Sequence, residues 1–172
     1  MLEKIARRLE THRETVEAVE ERLQNYIYMA ALLSYEAALR GDRLYIYGEG
    51  RSYLLALYFA QRLRSRFPDL ECMAMRNRDD DTALFRTHLK KGDLFMAIST
   101  QTESAALPDL IELCRDREAK SVGLCARENS EAMRRCDVAV TIASYDVWHV
   151  DEMHLLVCNI IADAIEEVMG QA

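Results

Sequence analysis

Three short stretches carry side chains whose types and spacing suit chemistry. Residues Ser99-Thr100-Gln101-Thr102-Glu103-Ser104 place four hydroxyls within six positions, directly after the apolar run Leu94 to Ile98. Hydroxyls together with backbone N–H groups can bind the oxygens of a phosphate without a lysine. The same composition also suits a hydroxyl turn that caps a following helix. Gly48-Glu49-Gly50-Arg51-Ser52 follows a second apolar run, Leu44 to Tyr47, and leads into the amphipathic stretch Tyr53 to Leu63. Glycines at such a turn admit positive φ and close approach of the backbone. The free N–H groups and dipole at the helix start favour an anion. Ser52 then offers a hydroxyl with Arg51 beside it, although an ordinary N-cap serine looks the same. The third stretch, Asp151-Glu152-Met153-His154, stands at the expected start of the last helix. Glu152 is a candidate general base, because removing a proton beside a carbonyl needs a carboxylate within hydrogen-bond reach. His149 and His154 are candidates for ring opening or hydrogen bonding. An acidic first turn that merely complements the helix dipole is the plainer alternative.

Several function classes are excluded by what is missing. No third glycine completes the dinucleotide fingerprint after Gly50, and no Gly-Lys-Ser/Thr makes a phosphate-binding P-loop, so no cofactor is expected. His149 and His154, loosely flanked by Asp146 and Asp151, match no metal-ligand spacing, and no metal is expected. The formal net charge is −7, which argues against broad binding to nucleic acid or to an anionic membrane. No apolar run approaches the ~20 residues that span a bilayer, and the start Met1-Leu2-Glu3-Lys4 does not read as a signal peptide. The five cysteines, Cys72, Cys114, Cys125, Cys136 and Cys158, are odd in number and form no C-x-x-C pair. They read as small core residues of a protein in a reducing cytoplasm.

The elements that must position these stretches follow from periodicity. Leu2, Ile5, Leu9, Val16, Val19, Leu23 and Ile27 recur at helical spacing, which predicts one helix over 2–40 that stops at Gly41. A helix this long on a chain of 172 residues is expected to pack on a second copy; covering its own sheet is the alternative. Beyond Gly41, apolar runs predict strands at 43–48, 70–75, 93–98, 121–125 and 137–142. Helices are expected near 52–66, 103–117, 129–135 and 150–169. The polar run at 76–81 reads as a loop, with Asp81 or Thr82 capping a short helix through His88. Alternating strands and helices with continuous apolar strands imply an α/β fold, a parallel sheet covered on both faces. Ligands of such sheets bind at the carboxyl ends of the strands, where both hydroxyl-bearing turns lie. Residues 1–172 read as one domain, with 1–40 an oligomerisation helix and 41–172 the αβα core.

Taken together, the long first helix, strand-Gly-x-Gly-x-Ser-helix, strand-Ser-Thr-x-x-x-Ser-helix, and a last helix opening with Glu-Met-His resemble the SIS (sugar isomerase) domain family over nearly the whole chain. The resemblance implies a three-layer αβα sandwich with a five-stranded parallel sheet. It also implies a homodimer or homotetramer with sites at subunit interfaces, and a sugar phosphate held by Ser52, Ser99, Thr100, Thr102, Ser104 and Arg51. Three branches of the family are similar. In the phosphoheptose isomerases a catalytic acid follows the first turn, where this chain has Arg62 in Tyr58-Phe59-Ala60-Gln61-Arg62. Those enzymes carry Gln where Asp151 stands and a second His where Asn159 stands. The 6-phospho-3-hexuloisomerases share Gly50-Arg51-Ser52 and Phe59-Ala60-Gln61-Arg62-Leu63, and carry a catalytic Glu at the place of Glu152. The DiaA-like replication regulators, which bind a protein partner and are not enzymes, have a similar last helix. The phosphate turn of all three has Ser-Gly where this chain has Gln101-Thr102. The resemblance implies an aldose–ketose isomerase working through a cis-enediol. Glu152 would be its base, His154 would assist ring opening, and Arg51 or Arg62 would stabilise the enediolate oxygen. The alternative it implies is a non-catalytic regulator or scaffold.

Overall fold

A computed structural model describes residues 1–100, 104–126 and 130–169. Its strands are β1 (Leu44–Gly48), β2 (Cys72–Met75), β3 (Leu94–Ser99), β4 (Lys120–Ala126) and β5 (Val138–Ile142). They form one sheet in the order β2-β1-β3-β4-β5, and every neighbouring pair is parallel. The helices are α1 (Leu2–Arg40), α2 (Arg51–Arg66), α3 (Asp79–His88), α4 (Leu107–Asp116), α5 (Ser130–Met133) and α6 (Val147–Met169).

Strand side chains alternate between faces, and the two resulting cores make three layers. Leu44 and Ile46 of β1, Met96 and Ile98 of β3 and Val140 of β5 bury against α1, α2 and α6. Tyr45 and Tyr47 of β1 and Phe95 of β3 point the other way, into a core shared with α3, α4 and α5. There Phe85 of α3 packs edge-on against Tyr45 at 4.9 Å between ring centroids and lies 5.1 Å from Phe95. The central strands β1 and β3 are buried along their whole length, which is why they read as unbroken apolar runs, whereas the edge strands β2 and β5 are only partly covered. The five cysteines are free thiols. Among the described residues no helix is long and apolar enough to cross a membrane.

Helix α1 ends as its sequence predicts. Gly41 adopts φ +70°, its N–H donates to the Ala38 carbonyl at 3.1 Å, and the Asp42 N–H donates to that of Ala37 at 2.9 Å. Burial along α1 is uneven. Val19, Ile27, Ala30 and Ala37 are covered, whereas Leu2 and Leu9 are 82% and 66% exposed.

Three helix starts differ from expectation, each for a local reason. Helix α3 begins at Asp79, inside the run expected to be a loop. Its three aspartates complement the dipole from within the first turn, and Asp81 Oδ2 reaches back to accept the Arg76 N–H at 3.0 Å. Helix α4 begins at Leu107, later than expected. Pro108 sits in its first turn, where a missing N–H is harmless. Helix α6 begins at Val147, three residues early. Asp146 caps it, accepting the Trp148 N–H at 2.9 Å through Oδ1 and the Val150 N–H at 3.0 Å through its carbonyl. Asp151 and Glu152 consequently stand beyond the first turn of α6.

The register between β1 and β3 sets Gly48 beside Ile98. The chain therefore leaves both strands at the same level of the same edge. Gly48 is needed for close approach, since a Cβ there would lie 2.4 Å from the Ser52 carbonyl oxygen. Replacing Gly48 by Ala should therefore destabilise the fold by about 1–3 kcal/mol. A urea midpoint equal to that of the unaltered protein would contradict this.

Candidate functional site

The turns after β1 and β3 enclose a cavity of about 210 Å³. Its walls include Ser52, Ser99, Thr100 and Ser104, together with Arg51, which the sequence reading singled out, and Tyr47 and Glu49, which it did not. All four hydroxyl residues are buried. Thr102, the remaining expected phosphate contact, lies outside the described residues.

The hydroxyls form two ordered chains. Thr100 Oγ1 donates to Asp151 Oδ1 at 2.6 Å, so the 3.1 Å contact between Ser52 and Thr100 has Ser52 as donor. Arg51 Nε donates to Asp151 Oδ2 at 2.7 Å, and its guanidinium lies 4.4 Å from the centroid of the Trp148 ring. One carboxylate of α6 thus holds both the cation and a hydroxyl of the cavity. The second chain runs through Tyr47. Ser104 and Tyr47 are 2.8 Å apart, and Tyr47 also bonds Glu49 Oε1. A carboxylate only accepts, so the phenol gives its proton to Glu49 and receives that of Ser104. Burial pushes the Tyr47 phenol up, and the bond to Glu49 adds to the shift, so it stays protonated. Gly50 caps α2 at φ +54°. Helix α2 begins at the cavity wall, where the Ser52 N–H already donates to the Glu49 carbonyl at 3.0 Å.

The expected catalytic residues are placed differently. Glu152 is absent from the cavity wall among the described residues. It faces α1, accepting from Arg8 Nη2 at 3.0 Å and contacting His12 Nδ1 at 3.1 Å. Burial pushes its carboxyl up, but bonds to Arg8 and His12 outweigh this and hold it below the usual glutamate range. Arg62 bonds Asn159 and Asp163 of α6. It lies ten positions after Ser52, roughly 15 Å along α2. His154 is completely buried, and burial pushes its pKa down to about 4, with the Cys125 backbone and Asp151 pulling weakly the other way. His149 is buried too, with Nδ1 3.7 Å from Asp146 Oδ2 and its ring 6.5 Å from that of His12. Among the described residues no group of three or more His, Cys, Asp or Glu side chains is placed to hold a metal.

Two outcomes follow from this geometry. Asp151 competes with an incoming anion for Arg51 and Thr100. Asp151→Asn should therefore tighten binding of a phosphate ester by about tenfold, or about 1.4 kcal/mol. Unchanged or weaker binding by calorimetry would show that these groups do not grip the anion. His154 is neutral in the folded chain and titrates near pH 4, against 6.5 when unfolded. The unfolded chain therefore takes up the extra proton, and stability held above pH 6.5 declines as the pH falls towards 4, by on the order of 3 kcal/mol. His154→Gln should flatten that part of the stability curve; an unaltered slope would contradict the assignment.

Comparison with known proteins gives this geometry its context. The phosphoheptose isomerase of Geobacter metallireducens is 29% identical over 97% of this chain and 98% of its own length. That of Nitratiruptor is 27% identical over 97% and 99%. Among solved structures, the phosphoheptose isomerase of Neisseria gonorrhoeae superposes with a TM-score of 0.84 at 18% identity, covering 96% of this chain and 98% of that one. A phosphoheptose isomerase from Francisella tularensis gives 0.84 at 19%, covering 97% and 98%. Residues 40–146, which hold the whole five-stranded sheet and both hydroxyl-bearing turns, match the SIS domain, and the chain belongs to the SIS domain family.

Proposed function

We propose that this chain is an aldose–ketose isomerase acting on a phosphorylated sugar. The observation that carries the reading is the convergence of buried hydroxyls from two strand exits on one cavity, at the start of α2. The naming of its relatives as phosphoheptose isomerases supports the same substrate class. In this reading Ser52, Ser99, Thr100 and Ser104 hold the phosphate, Thr102 joins them, and Arg51 turns from Asp151 towards the ligand. The sugar then extends along the wall, and a carboxylate carries a proton between its first two carbons through a cis-enediol. Arg51 stabilises the oxygen on which charge develops. His154 is buried and neutral at working pH, and Arg62 ties α2 to α6.

The reading includes a homodimer or homotetramer in a reducing cytoplasm. The apolar stripe of α1 begins with exposed Leu2, Ile5 and Leu9, and continues into a groove where Tyr28 and Ile160 are exposed. Burying these on a second copy removes apolar surface that the sheet does not cover.

A specific observation favours a second reading, a non-catalytic sensor of sugar phosphates that acts on a protein partner. Arg62 and Asn159, which stand where the similar phosphoheptose isomerases carry an acid and a histidine, are bonded to each other. One experiment separates the two. A panel of aldose and ketose phosphates, incubated with the protein in D₂O, should show conversion of at least one pair with deuterium entering C1 or C2. Binding without exchange would favour the sensor, and no binding would overturn both.

A further inference from the structure

Glu49 reads in the sequence only as the variable residue of a Gly-x-Gly turn. In the structure its side chain lines the same cavity as Ser52, Thr100 and Ser104. Among the described residues, the other nearby carboxylates are engaged elsewhere. Asp151 is bound by Arg51 and Thr100, and Glu152 faces Arg8 and His12 on α1. The position at which the similar phosphoheptose isomerases carry their acid is held by Arg62, which bonds α6. Tyr47 occupies Glu49 Oε1, so Oε2 is the oxygen offered to a ligand. The glycines on either side let this turn approach a sugar closely.

We propose that Glu49, oriented by the hydrogen bond from Tyr47, is the catalytic carboxylate that moves the proton between C2 and C1 of the bound sugar. The inference rests on the isomerase reading and names the residue that performs it. In the forward step Glu49 takes the proton from C2. The C2–H electron pair becomes the C1=C2 double bond, and the C1=O1 π pair moves onto O1, which is protonated, giving the enediol. In the return step C1 takes the proton from the Glu49 carboxyl, and O2 gives up its proton as the C2=O2 bond forms. The carboxylate ends as it began. C1 is reduced and C2 oxidised by the same electron pair, so no outside redox partner is needed. The oxygen protons pass from O2 to O1 through the cavity hydroxyls or solvent. Glu49 is exposed, so a sugar can reach it. A sugar filling the cavity would cover it and keep water from the reacting carbons.

The test compares Glu49→Gln with Glu152→Gln, using whichever phosphosugar the unaltered protein converts. Glu49→Gln should lower kcat by about 10²- to 10⁴-fold, abolish deuterium exchange at C2, and leave calorimetric Kd for the sugar phosphate within about threefold. Glu49→Asp should restore part of kcat, as expected for a carboxylate that acts as a base. Glu152→Gln should leave kcat within about threefold, with circular dichroism showing both variants folded. Undiminished exchange in Glu49→Gln, or loss of kcat in Glu152→Gln alone, would overturn the assignment while leaving the isomerase reading intact. If the unaltered protein converts no phosphosugar, the isomerase reading fails first and this inference falls with it.

Discussion

The structure depends on the parallel register that sets Gly48 of β1 beside Ile98 of β3. The chain leaves these two adjacent strands at one level, and each exit places buried hydroxyls at the same edge, Ser52 after β1 and Ser99, Thr100 and Ser104 at the end of β3 and beyond it. A slip of one residue would send every side chain of the strand to the opposite face. Tyr47 would leave Ser104, and Ile46 would leave the α1–α2–α6 core. The packing of the central strands on both faces therefore holds the polar edge in place. Hydrophobic burial far from the cavity fixes the 3.1 Å contact between Ser52 and Thr100.

Electrostatics at that edge are closely balanced. Arg51, the cation on the cavity wall, is already engaged by Asp151, and Glu49 adds a further negative charge. A phosphate dianion entering such a site must turn the hydroxyl protons of Ser52, Thr100 and Ser104 from their present acceptors and draw Arg51 from Asp151. Trp148 stacks on the guanidinium and gives it a fixed plane on which to turn. Asp151 thereby acts as a resident competitor for the anion's own partners.

Much of this was legible in the residues. The apolar runs located the strands, Gly41 marked the end of α1, and the hydroxyl clusters located four walls of the cavity. The less legible parts have physical causes. Asp146 and Asp151 suit a helix start equally by composition, and it is Asp146 that accepts the Trp148 and Val150 N–H groups, so that α6 starts at Val147. That choice matters because adjacent helical residues point about 100° apart. Asp151 faces the cavity wall and Glu152 faces α1, a distinction that no spacing rule supplies without the helix's rotation about its axis. Tyr47 was hidden as one apolar residue in a run, although strand alternation pairs it with Tyr45 on the α3–α4 face. Glu49 was hidden as a variable position, and its role in the cavity follows from Tyr47 holding it there.

The proposed function requires that the two strand exits jointly bind one phosphate group. A crystal of the protein soaked with a sugar phosphate tests this most directly. The account predicts a tetrahedral anion within hydrogen-bond distance of Ser52, Thr100 and Ser104, at the start of α2, with the Arg51–Asp151 contact lengthened. A phosphate bound elsewhere, with Ser52, Thr100 and Asp151 still bonded to one another, would contradict it.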